Sequence, residues 1–365
     1  SKNDVLSGNS AANNIDAGNG NDILSGGDGI DVLIGGNGND TFKITSSDVD
    51  GDIDVLNGGN NTDTIDYSAI DSSNRIEVNL STPSAKVIGS SNADTISGDS
   101  GINQLEGGAG DDTIDGGAGA DILKGDAGDD VFTGSNFDGD NINGGTQNTG
   151  GDTVDYSAVL SYGVNVDLSD TTSDNISINS ITHTISNIEN ITGTAQNDQI
   201  IGNSGVNTIL GGTGNDTIDG GLGADYLDGG AGATENNKLS YDSINHSIRI
   251  DLKDATAITD LDNDGFTFDA SGNNTDADDE QDTILNFKTA EGSKLADILI
   301  AGDTGNTLYG NAGDDTLISG LSADYLDGGD GENLFILGLN TASGIDTVIG
   351  GNDIDTADYS SITDS

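Results

Sequence analysis

The segment spanning residues 26–42, GGDGIDVLIGGNGNDTF, says one phrase twice, nine residues apart. Glycine loses the most backbone freedom on folding, and repeated carboxylates repel one another, so the phrase is unfavourable unless the fold uses both residue types. Written G-G-x-G-x-D-x-U-x, with U large and apolar, the frame fits twenty nonamers in four blocks. The blocks are residues 1–43, 89–133, 193–237 and 292–336, the first truncated at its start.

Position six reads Asp4, Asn13, Asp22, Asp31 and Asp40 in the first block, and Asp94, Asn103, Asp112, Asp121 and Asp130 in the second. It continues Asp198, Asn207, Asp216, Asp225 and Thr234, then Asp297, Asn306, Asp315, Asp324 and Asn333. Asn always holds the second nonamer, which marks the blocks as copies of one unit of roughly a hundred residues. Position eight is large and apolar in nineteen of twenty nonamers. The exception, Asn236, shares its nonamer with Thr234, so the fifth nonamer of block three reads as decayed.

The intervening segments, residues 44–88, 134–192, 238–291 and 337–365, share a tyrosine motif around Tyr67, Tyr156, Tyr241 and Tyr359, where the rings are expected to be packing anchors. Alternating runs at 75–80, 163–168 and 248–252 follow three of them and predict half-buried strands by period two. These segments read as small β inserts between the blocks.

Glycines at one, two and four permit positive φ and close backbone approach, so positions one to six predict a turn and seven to nine a very short strand. Two nonamers make an eighteen-residue coil, and coils stack as parallel strands about 4.8 Å apart. Position eight then builds an inward apolar ladder. Turn n faces turn n+2, which places Asp22 beside Asp40 and Asp112 beside Asp130. Two carboxylates and several turn carbonyls converge there, an all-oxygen cage suited to Ca²⁺, which takes six to eight oxygens at roughly 2.3–2.6 Å. Mg²⁺ holds its waters too firmly for such a cage. A transition metal would want His or Cys, and the chain has two histidines and no cysteine.

The composition agrees. The net charge of -54 and an apolar fraction of 32% would suit disorder unless a bound cation supplies the missing counter-charge. Such acidity excludes nucleic acid as a partner, and no apolar run is long enough to span a membrane. With no methionine, and with its last tyrosine motif in mid-unit, the chain is expected to be a fragment or a processed form.

These nonamers, 26–42 most cleanly and then 107–133 and 211–228, resemble the repeats-in-toxin, or hemolysin-type calcium-binding, family. The resemblance implies an all-β fold of tandem parallel β-rolls, a calcium-binding solenoid, with Asp at position six as side-chain ligand and backbone carbonyls completing each site. It also implies type I secretion and folding outside the cell. The expected ligands are the position-six residues above other than Thr234, with about 8–14 Ca²⁺ in the roll turns. Asn13, Asn103, Asn207, Asn306 and Asn333 offer neutral, weaker ligands. The first nonamers of blocks two to four, GSSNAD, GTAQND and GSKLAD, lack the double glycine and are expected to act as caps.

Asp260, Asp262 and Asp264 open like an EF-hand loop, but position twelve is Ser271, which leaves an irregular calcium loop or a solvated one. The acidic segments 48–52 and 136–140 follow blocks one and two and read either as caps holding one more ion or as plain acidic turns. Ser243, His246 and Asp242 crowd one short segment without a nucleophile elbow, so no enzyme is expected. The best functional reading is a calcium-rigidified segment of a secreted or bacterial cell-surface protein of adhesin, matrix or surface-layer type, with self-association or matrix components as partners. The alternative is a C-terminal secretion and folding module of an exported enzyme or toxin.

Overall fold

The computed structural model describes residues 2–45, 54–70, 77–79, 85–169, 174–178, 181–230, 232, 235–253, 255–260, 280–338 and 344–360. Every regular element among them is a β-strand of three to six residues. The strands are short because positions seven to nine, in some coils with the first three of the next nonamer, are extended before the chain turns again. Among the described residues no helix is long and apolar enough to cross a membrane.

The ladder register is the coil length. Ile96 pairs with Ile114 and Ile114 with Phe132, while on the alternate strands Leu105 pairs with Leu123 and Leu123 with Ile142, all in parallel. Position eight therefore meets position eight of the next coil. Leu24, Leu33, Ile96, Leu105, Ile114, Phe132, Ile200, Leu227, Leu299, Leu317 and Phe335 are all fully buried. The fold is a parallel β-solenoid, as the repeat predicts.

Two compact units divide the chain. In the first, Ser1–Val159 with Thr172–Ile188, a ten-stranded sheet starts at Val5–Ser7, Ile23–Ser25 and Thr41–Lys43 and ends at Ile181–Ser186 and Asp174–Ile178. Only the last pair is antiparallel. Strands from the alternate nonamers form Asn14–Asn19, Val32–Asn37 and Val55–Asn60, and, further along, Thr95–Ser97, Thr113–Asp115, Val131–Thr133 and Thr153–Asp155. In the second unit, Leu160–Thr171 with Glu189–Ser365, eight parallel strands run from Asn165–Asp167 to Thr347–Ile349. Its other ladder contains an antiparallel stretch in which Thr256–Asp260 lies between Ser247–Asp251 and Glu280–Leu285.

The segments between blocks lend strands to the same ladders. Asp63–Asp66 pairs with Thr41–Lys43 and with Ala85–Ile88, and Ala85–Ile88 pairs with Gln104–Ala109. The three alternating runs are strands as expected: Glu77–Asn79, Asn165–Asp167 and Ser247–Asp251.

One sequence expectation is corrected. The fifth nonamer of block three is lengthened, not decayed. Leu239, not Asn236, pairs with Ile218 and is fully buried, while Asn236 is exposed. The extra residues sit in the turn, where added length costs little closure entropy, and the apolar ladder selects the residue that fills it.

The ladder makes position eight energetically unlike its neighbours. Ile114→Ala is expected to cost about 2–5 kcal/mol in urea unfolding of the calcium-loaded chain. Ile122→Ala, at a position 38% exposed, is expected to cost well under half of that.

Candidate metal centre

The turn Gly35-Gly36-Asn37-Gly38-Asn39-Asp40 shows what each glycine does. Gly36 and Gly38 are left-handed, with φ of 111° and 132°. A Cβ on Gly36 would collide with the carbonyl oxygen of Gly18 in the coil below, and one on Gly38 with that of Gly20. A Cβ on Gly35 would overlap Oδ2 of Asp40 in the same turn. The turns thus stack with carbonyl oxygens of positions two and four aimed at the next coil and one carboxylate oxygen folded against position one.

The other carboxylate oxygen joins the coils. The Asp22 N–H donates to Oδ1 of Asp40 at 2.8 Å, and the Asp112 N–H donates to Oδ1 of Asp130 at 2.8 Å. The expected stacking of these aspartates therefore exists, as an amide-to-carboxylate bond. It recurs from Asp4 to Asp22, Asn13 to Asp31, Asp94 to Asp112, Asn103 to Asp121, Asp198 to Asp216, Asn207 to Asp225, Asp297 to Asp315, Asn306 to Asp324 and Asp315 to Asn333.

The same bond continues onto residues that sequence reasoning missed. Asp54, Asp63, Asp140 and Asp152 accept from Asp31, Asp40, Asp121 and Asp130. Asn237, Asp282, Asp346 and Asp355 accept from Asp216, Asp225, Asp324 and Asn333. Part of this was readable. Gly58-Gly59 and Gly350-Gly351 stand at the right distance before Asp63 and Asp355, but position four is Asn61, left-handed at φ 85°, in one and Asp353 in the other. The rest is hidden by extra turn residues, which stretch the step from 18 residues to 22 between Asp130 and Asp152 and to 57 between Asp225 and Asp282.

What remains after these bonds is a stranded oxygen. Oδ2 of Asp22, Asp31, Asp40, Asp112, Asp121, Asp130, Asp216, Asp225 and Asp315 is buried without any hydrogen-bond partner. Asn237 shows what surrounds that point. Its Nδ2, the atom replacing Oδ2, donates to the carbonyls of Gly229 at 2.6 Å, Gly230 at 3.2 Å and Asn286 at 3.2 Å. A carboxylate oxygen there would face the negative ends of three carbonyls, which only a cation can reconcile.

Burial pushes Asp112, Asp225 and Asp315 up to about 8 and Asp121, Asp130 and Asp216 up to about 6, with neighbouring carboxylates adding to the rise. Among the described residues no three His, Cys, Asp or Glu side chains cluster. The donor set is therefore carboxylate plus main-chain carbonyl. That set is hard and all-oxygen, as Ca²⁺ requires.

The other expected ligands are placed differently. Asp94, Asp198, Asp297 and Asp324 each accept the N–H of position two of their own turn, from Ser90, Thr194, Ser293 and Gly320. Asn13, Asn103, Asn207 and Asn306 accept the equivalent N–H from Asn9, Asp99, Asn203 and Gly302. Asn333 turns its Nδ2 towards the carbonyls of Gly331 and Gly350. Asp260 closes the strand Thr256–Asp260, but Asp262, Asp264, Thr234 and the acidic turn 48–52 lie outside the described residues. In the other acidic turn, Asp140 has joined the ladder.

The tyrosines occupy position one, where glycine is usual. Tyr156 and Tyr241 are fully buried; the Tyr156 hydroxyl meets Nε2 of His183 at 2.8 Å, and that of Tyr241 donates to Asp282. Both anchor the solenoid at points where the chain leaves it on a long excursion. Tyr359 is exposed. Ser243 Oγ donates to Asp219 at 2.6 Å, and Lys294 holds Asp242 at 3.3 Å, so these residues do not assemble a catalytic triad.

The stacking geometry predicts a contrast between two left-handed glycines. A Cβ on Gly18 meets nothing within 4 Å, so Gly18→Ala is expected to cost about 1–2 kcal/mol of backbone strain. Gly36→Ala adds a carbonyl collision and is expected to cost distinctly more in the same unfolding titration. The raised carboxyls predict a pH effect. Folded groups near 8 that are near 3.8 when unfolded bind protons on folding, so the calcium-free roll should lose stability as pH rises from about 4 to about 8. Calcium affinity should rise across the same window, because each ion displaces protons. Circular dichroism in chelator and calcium titrations at pH 5 and pH 8 would measure both.

No curated protein matches the chain. The family model for the RTX calcium-binding nonapeptide repeat (4 copies) matches residues 1–33, 18–43, 88–123, 106–140, 116–148, 186–212, 201–234 and 296–335, together just over half of the sequence. All nine stranded carboxylates lie within the matched segments. With its nonamers stacked as a calcium-binding β-solenoid, a structural and not a catalytic fold, the chain belongs to the RTX calcium-binding nonapeptide repeat family.

Proposed function

We propose that this chain is a calcium-dependent structural region of a secreted or cell-surface protein of adhesin, matrix or surface-layer type. The observation that carries the reading is the row of buried Oδ2 atoms with no donor to meet them, at the position where Asn237 places its Nδ2 among three turn carbonyls. Bound between coils, calcium supplies the positive charge that lets those oxygens stay ionised out of water. Asp22, Asp31, Asp40, Asp112, Asp121, Asp130, Asp216, Asp225 and Asp315 would be its main side-chain ligands, with the four blocks as the loading units. Asp63, whose turn has the full double-glycine geometry, joins them.

Extracellular calcium modules bind with Kd around 10⁻⁴–10⁻³ M. Such turns stay empty at cytosolic calcium and fill outside the cell. Calcium at ten times Kd stabilises the folded chain by about 1.4 kcal/mol per site, and the effect repeats coil after coil. An expanded, self-repelling polyanion thereby becomes a stiff stack on export, which suits a role in spacing or scaffolding at a surface. Self-association and matrix components are the partners this role calls for.

The test is circular dichroism and small-angle scattering of the chain in chelator and in millimolar calcium. The expected result is a compact, sheet-rich particle with calcium and an expanded one without; a chain equally compact in chelator would sink the reading. Asn237→Asp, which restores a carboxylate to an intact carbonyl nest, is expected to add one bound calcium by equilibrium dialysis.

A further inference from the structure

The position-six residues divide by the conformation of position two, four residues earlier. In all nine turns with a stranded Oδ2, position two is left-handed. Glycine is not the cause, since Asp126 at φ 72° and Asn311 at φ 73° do the same in the turns of Asp130 and Asp315. With that geometry the position-two N–H leaves the carboxylate alone; those of Gly117 and Gly221 go instead to Asp115 and Asp219.

In the turns that end at Asn13, Asp94, Asn103, Asp198, Asn207, Asp297, Asn306 and Asp324, position two is not left-handed, and its N–H donates straight back to position six at 2.6–2.9 Å. Three of these turns add a hydroxyl. Ser90, Thr194 and Ser293 donate Oγ to Oδ1 of Asp94, Asp198 and Asp297 at 3.0, 2.9 and 3.0 Å. Composition again does not decide it, because Gly302 closes the turn of Asn306 in the same way. In Asp198 and Asp297 both carboxylate oxygens are occupied, Oδ1 also taking the N–H of Val164 or Ile248.

We propose that the backbone conformation of position two decides which turns take calcium, and that these eight turns close without metal. Resting on the calcium reading above, this goes beyond it by removing sites that the repeat motif alone would assign. An amide donor satisfies the buried acceptor in these turns, where in the open turns only a cation is left to meet it. Six of the eight are the first two turns of blocks two, three and four; the others are the second turn of block one and the fourth of block four. Blocks two, three and four therefore each begin with a coil that needs no calcium, a preformed template on which the calcium-requiring coils stack.

The test uses the whole 365-residue chain and counts tightly bound calcium by atomic absorption after gel filtration. Asp94→Asn and Asp198→Asn are expected to leave the count unchanged, whereas Asp112→Asn and Asp216→Asn each lower it by at least one. Equal losses from both pairs would overturn the proposal. A wild-type chain that bound no calcium would instead overturn the functional reading beneath it, so the two failures are distinct. Hydrogen exchange in chelator gives a second readout. Protection is expected to persist at Ser90 and Asp99, whose N–H groups bond within their own closed turns, and to collapse from Asp112 to Asp130. Uniform collapse across both stretches would also overturn the template.

Discussion

A carboxylate split between two tasks is the interaction on which this structure depends. In nine position-six aspartates one oxygen takes the backbone N–H of the coil below, as between Asp22 and Asp40, and so fixes the spacing and register of the stack. The other oxygen is buried among turn carbonyls with nothing to bond. The first task makes a solenoid, and the second makes it conditional on a cation. A buried, unpaired carboxylate is too costly to hold charged, which is why Asp112, Asp225 and Asp315 are pushed up to about 8 without metal. Stability and calcium binding thus reside in the same atoms.

The apolar ladder plays a narrower part. Position-eight residues from Leu24 to Phe335 are sealed from water, but each coil contributes only two of them. They choose which residue faces inward and therefore set local register, as Leu239 does in place of Asn236. The glycines serve the same end by absence: a side chain at Gly36 or Gly38 would hold the coils too far apart for the carbonyls to approach the next turn.

Tolerance of interruption follows from that division. The turns absorb five extra residues before Asp54 and a far longer excursion before Asp282, yet the amide-to-carboxylate step reforms on the far side at 2.7 and 2.8 Å. Where the chain departs furthest, a buried tyrosine stands at position one. The phenols of Tyr156 and Tyr241 then bond the side chain at position six of the same opened turn, His183 and Asp282. Segments that look foreign to the repeat are in this sense further turns of it.

The nine-residue beat by itself determined the coil, the short strands, the inward ladder and the hard, all-oxygen chemistry of the turns, because each depends only on spacing along the chain. Asp22 over Asp40 and Ile96 over Ile114 were legible for that reason. Tertiary structure alone decided which acidic residues outside the beat, such as Asp63, Asp152 and Asp355, step into the ladder, since insertions break the count while hydrogen bonding restores it. It also decided which expected ligands turn inward on their own turn. Asp94 and Asp112 share a motif position and differ in a backbone angle four residues earlier, and residue type alone does not decide that angle, since Asp126 is left-handed and Gly302 is not.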